Sequence, residues 1–141
     1  MKMNELWIAF AGSRLNSSVS LHHLDDSVMI KISIGGIIDT ESAFVTNVIL
    51  AAMDSGPYDY CLIDVQNLTF VDGISINEHA IECLIRLTGF AMNRGIKAFL
   101  VVDNGYVREV LADILRRHRG FSKLLIQSSQ DFLGSELAQK T

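Results

Sequence analysis

Residues 58–93 read YDYCLIDVQNLTFVDGISINEHAIECLIRLTGFAMN. An apolar run over 60–65 meets a polar break at Gln66-Asn67, and a second short run, 68–71, ends at Asp72-Gly73. A long amphipathic segment follows. The pattern predicts a buried strand, a loop, and a helix that opens at Asp72. Ile76, Ala80, Cys83, Leu84, Leu87 and Ala91 fall on one helical stripe. Glu78, Glu82, Arg86 and Asn93 lie largely off it, and Glu82 and Arg86 have the i,i+4 spacing of a weak ion pair. Asp72 suits the cap of such a helix, since its carboxylate accepts from orphan amides and favours the positive end of the dipole. Gly73 relaxes the backbone there. Ser75 and Asn77 are then placed beside first-turn amides, where an anion is stabilised.

The rest of the chain is read around this unit. Its 141 residues suit one domain, and 49% hydrophobic content suits a packed core. A net charge of −4 argues against a general nucleic-acid binder. No apolar run reaches the roughly 18 to 20 residues that span a bilayer. The short run at 6–11 follows Glu5 and does not read as a signal peptide. Cys61 and Cys83 sit inside apolar segments and read as free buried thiols of a reducing compartment. A cytoplasmic location is expected.

Residues 1–18 read as an extension and linker. Within it, 6–10 fits a short strand or a helical turn, and 12–18 is rich in Ser, Asn and Gly. The main domain is expected over 19–141. Residues 19–23 alternate as a half-buried strand, Asp25-Asp26-Ser27 signals a turn, and 28–34 is the next strand. Val28, Ile30, Ile32 and Ile34 share one of its faces. The two strands make an antiparallel hairpin. His22 and His23 are adjacent strand residues facing opposite ways, so they do not form a metal pair.

Gly35-Gly36 reads as a tight bend, because no Gly-Lys-Ser/Thr follows to make a phosphate loop. A helix is expected to open at Asp39-Thr40, with Val45, Val48, Ile49 and Ala52 inward, and to stop at Gly56-Pro57. After the central unit, 96–102 reads as a strand buried on both faces. Asp103-Asn104-Gly105 is a turn. A helix over 106–117 turns Val107, Val110, Leu111, Ile114 and Leu115 inward. The basic residues Arg116, Arg117, His118 and Arg119 at its end complement the dipole. A short strand at 124–126 and a helix from Ser128-Ser129 to about residue 138 close the chain, with Ser128 and Asp131 in capping-box spacing. The order β-β-α-β-α-β-α-β-α is an α/β fold: a mixed sheet that starts with an antiparallel hairpin and carries packed helices.

These motifs, in this order, resemble the STAS domain of anti-sigma-factor antagonists and sulfate-transporter tails. Gly36-Ile37-Ile38-Asp39 resembles that family's Gly-x-Leu/Ile-Asp segment. Residues 62–72, LIDVQNLTFVD, resemble the strand and loop before its Asp-Ser-Ser-Gly motif. The resemblance covers about 19–138. It implies a STAS-like fold and a protein-interaction module that regulates sigma-factor or stress signalling. The implied partner is an anti-sigma factor or switch-kinase-like protein, or another STAS protein. No metal-ligand spacing is present, and no cofactor is expected.

In the antagonists a serine of the Asp-Ser-Ser-Gly motif is phosphorylated. Here the motif reads Asp72-Gly73-Ile74-Ser75. The two hydroxyl positions are Gly73 and Ile74, and Ser75 is the nearest hydroxyl. It is the candidate phosphoacceptor, opposed by the charge of Asp72. The alternative is a module without a phosphoswitch, docking through Ile74, or an accessory subunit of a membrane transport complex. The expected recognition face joins Gly36, Asp39 and Thr40 to Asp72, Gly73, Ile74, Ser75 and Asn77. An esterase-like reading pairs Ser75 with His79 at i+4 and Asp72 at i−3. It lacks an oxyanion site and cleft, so no enzyme is expected.

Overall fold

The computed structural model describes residues 5–8, 15–40, 44–54, 56–69, 71–72, 75–117 and 124–133. Strands β1 (Glu5–Ile8), β2 (Leu15–His23) and β3 (Val28–Gly36) form an antiparallel meander. Helix α1 (Val45–Met53) crosses to β4 (Tyr60–Asp64), which pairs parallel with β3. A two-stranded ladder, β5 (Val71–Asp72) with β6 (Ser75–Ile76), precedes α2 (Glu78–Asn93). Strand β7 (Lys97–Val101), helix α3 (Gly105–Arg116), β8 (Leu125–Gln127) and α4 (Ser129–Leu133) complete the order. The main sheet runs β1-β2-β3-β4-β7-β8. The expected α/β class and opening hairpin are therefore observed.

Alternation decides which face of β3 meets the helices. Ile30 and Ile32 are fully buried and Ile34 nearly so. Each such side chain contributes about 1.5–3 kcal/mol when taken from water. They pack with Cys61, Ile63, Ala98 and Leu100 of the neighbouring strands and with Leu84, Leu87 and Ala91 of α2. Met29, Leu62, Phe99 and Val101 form a smaller cluster apart from this core. Residues 98–102 are all buried, the double-sided burial expected of an interior parallel strand. Both cysteines are free and buried, and burial pushes the Cys61 thiol up to about 12.

Several expectations need correction. Strand β2 begins at Leu15, so 15–18 is strand and not linker. Glu5–Ile8 takes the strand alternative and pairs along β2, from Glu5 opposite Ser20 to Ile8 opposite Ser17. The expected opening of α1 at Asp39-Thr40 is too early: the helix starts at Val45 with Phe44 in the cap position. Its buried stripe runs through Thr46, Ile49 and Met53, while Val48 is 38% exposed. Thr46 replaces an apolar residue there because its hydroxyl hydrogen-bonds the Cys83 thiol across the helix pair. Helix α4 is described only to Leu133, and the expected continuation to 138 lies outside the described residues, as do His118 and Arg119.

Candidate functional site

The start of α2 is built differently from the expectation. The cap is Asn77, not Asp72. Asn77 Oδ1 accepts from the backbone amides of His79 at 3.0 Å and Ala80 at 3.3 Å. Ile81 N–H donates to the Asn77 carbonyl. Asp72 instead pairs with Ser75, and Val71 with Ile76, in the small ladder. The sequence offers two Asx residues five positions apart, and the ladder takes the first. Ser75 and Ile76 therefore precede the helix. Two of the amides expected to serve an anion beside Ser75, those of His79 and Ala80, bond instead to Asn77. The helical i,i+4 register assumed between Ser75 and His79 also disappears. Gly73 and Ile74 lie outside the described residues.

The other half of the face is the segment after β3. Gly36 sits at φ +89°, a conformation that L side chains rarely adopt. Its N–H donates to the Asn67 carbonyl at 2.9 Å, and its own carbonyl accepts from Thr69 N–H at 2.8 Å. A Cβ on Gly35 would stand 3.2 Å from Asn67 Cβ. In place of the tight bend expected at Gly35-Gly36, β3 continues through Gly36, pairs there with β2, and is stitched to the loop that leaves β4. Ile38 is 2% exposed and anchors the following turn.

The two halves are tied by side chains. Asn77 Nδ2 donates to the Ile38 carbonyl at 2.9 Å. The Thr40 hydroxyl and His79 Nε2 are 3.3 Å apart. Asn77 uses both ends of its amide, one for the helix and one for the loop. Aspartate or serine in this place would cap the helix but leave the Ile38 carbonyl without this donor. Thr40 and Asn77 therefore lie where the loop is tied to the start of α2, Gly36 is held to the loop after β4, and Asp72 and Ser75 pair in the ladder before α2. Glu78 in the first turn suits the helix dipole.

Sequence reasoning missed a neighbouring feature. Phe44 is 51% exposed and Val48 lies one turn further along the same side of α1. The stretch FVTNVILAAM holds no charged residue, a signal that the helix is apolar on its outer side as well as its inner one. Arg86 of α2, spaced for a pair with Glu82, donates to Asn47 Oδ1 of α1 and so joins the two helices. Among the described residues no group of three His, Cys, Asp or Glu could hold a metal ion. Among the same residues no helix is long and apolar enough to cross a membrane.

No family model and no curated protein matches the sequence. Among solved structures, the chain is similar to a serine-to-glutamate variant of RsbS from Moorella thermoacetica, with a TM-score of 0.58. The match covers 86% of this chain and 97% of that one, at 18% sequence identity. Likeness at that identity speaks for the fold, and the chain has the STAS fold that its motifs resemble.

Proposed function

We propose that this protein is a regulatory interaction module of the anti-sigma-factor-antagonist kind, acting by docking and not by a reaction of its own. The docking face is the turn from Gly36 to Thr40 together with the segment from Asp72 to Asn77. The observation that carries the reading is the double use of Asn77, which holds the loop against the start of α2 at 2.9 Å. A face preorganised in this way loses little conformational entropy on binding. The exposed side chains of Phe44 and Val48 on α1 add apolar area to the molecule's surface. The partner is an anti-sigma factor or switch-kinase-like protein, or another STAS protein. The similarity to RsbS agrees with this assignment.

Ser75 is the proposed switch. Phosphorylation adds about −1.5 to −2 charge at neutral pH. Its backbone partner in the ladder is Asp72, an acidic residue, so the added charge opposes that pairing. Opening the ladder alters the entry into α2 and with it the docking face. The test is incubation with a switch-kinase-like protein and ATP, followed by mass spectrometry and a binding titration. Phosphate on Ser75, with weakened binding that the Ser75→Ala variant does not show, is the expected result. Intact binding without modification at Ser75 removes the switch and leaves the module.

A further inference from the structure

Helix α4 covers the sheet differently from the other helices. Helices α1, α2 and α3 each bury side chains completely, at Ile49, Leu84 and Leu115. In α4, Gln130 and Asp131 are exposed, and Ser129 and Phe132 are only half-buried. Among the described residues, two attachments hold it. Asp103, just past β7, accepts the Ser129 N–H at 2.7 Å on one carboxylate oxygen and the Ser129 hydroxyl at 2.9 Å on the other. Phe132 meets the ring of Phe99 edge-on, with centroids 5.9 Å apart, and packs on the small cluster of Met29, Leu62, Phe99 and Val101.

We propose that α4 is a latch that opens as a unit while the rest of the fold stays closed. The Asp103–Ser129 pair is the catch and Phe132 is the plug. The hinge lies after Gln127, whose carbonyl still accepts from Val102 N–H at 2.8 Å and keeps β8 on the sheet. Opening uncovers Phe99 and Leu62, giving the sheet a second, conditional apolar face remote from the core that α2 closes. Arg108 donates to the backbone carbonyls of Val102 and Asp103 and stabilises the loop that presents the catch. The stability of such a unit is set by these few contacts and not by global unfolding.

Native-state hydrogen exchange read by mass spectrometry tests this on the whole chain. In the unmodified protein the amides of residues 131–133 are expected to exchange at least about a hundredfold faster than those of 84–91, with little dependence on low urea. Asp103→Asn and Ser129→Ala are each expected to speed exchange at 131–133 by about tenfold and leave 84–91 unchanged. Equal protection of the two segments in the unmodified protein, converging on one urea dependence, overturns the proposal. So do variants that accelerate both segments together. The measurement on the unmodified chain decides the matter even if a variant fails to fold.

Discussion

Replacing Asn77 by alanine removes two functions at once, and their sizes follow from the geometry. The cap to His79 and Ala80 is worth about 1 kcal/mol. The bond to the buried turn at Ile38 adds about 1–2 kcal/mol, since its carbonyl loses this donor. Together Asn77→Ala is expected to destabilise by about 2–3 kcal/mol. For a chain of this length that lowers Tm by about 6–9 °C. Urea unfolding followed by far-ultraviolet circular dichroism measures it, with the midpoint moving and the slope unchanged. Asn77→Asp separates the two functions. Aspartate keeps the acceptor and adds a charge the helix start favours, so about 1 kcal/mol returns. It offers no donor to Ile38, so partner binding remains as weak as in the alanine variant. A cost below about 0.5 kcal/mol for Asn77→Ala refutes the reasoning, because a working cap exceeds that. So does full recovery of both stability and binding in Asn77→Asp.

Other expectations follow from single positions. Gly36→Ala forces a Cβ into a left-handed conformation and is expected to cost about 1–2 kcal/mol in the same urea assay; a neutral substitution would contradict that backbone geometry. Cys61, with its thiol raised to about 12, is expected to resist thiol reagents at mildly alkaline pH until the protein unfolds. Labelling at the rate of a free thiol would show that it is not enclosed. The Ser129 backbone and hydroxyl hydrogen bonds hold the Asp103 carboxyl below its ordinary value of 3.8. Its contribution to the α4 attachment is therefore complete above that value and lost as pH falls through the lower folded value. The exchange difference between the parent protein and Asp103→Asn is expected to be constant at neutral pH and to vanish in acid. Because Asp103 is fully exposed, added salt is expected to shrink it.

Where the sequence reads well, periodicity is long and one face is buried. The stripe of Ala80, Cys83, Leu84, Leu87 and Ala91 is continuous over about three turns, and only a helix satisfies it. Thr88 joined the buried side unannounced because its hydroxyl bonds back to the Leu84 carbonyl at 2.7 Å, which removes the cost of burying it. The start of α2 was harder. Asp72 and Asn77 have equal intrinsic merit as caps, and what separates them is long-range. Only a residue with a donor as well as an acceptor serves Ile38, 39 positions earlier, as well as the helix. The late start of α1 has a similar origin, since Thr40 meets His79 instead of capping the helix it precedes. The edge strand β1 was ambiguous because four residues carry too little alternation to distinguish strand from turn. Its partner, β2, supplies the hydrogen bonds that settle the matter.

The docking face is tested most directly by a calorimetric titration with a switch-kinase-like or STAS protein that binds the parent chain, using Thr40→Arg against Glu109→Arg. Thr40 is exposed on the tied loop, and Glu109 is exposed on α3. If the Gly36–Thr40 turn and the start of α2 form the contact, Thr40→Arg raises Kd by at least about tenfold and Glu109→Arg leaves it unchanged. Equal affinity for both variants and the parent protein, with circular dichroism showing all three folded, would place the interface elsewhere.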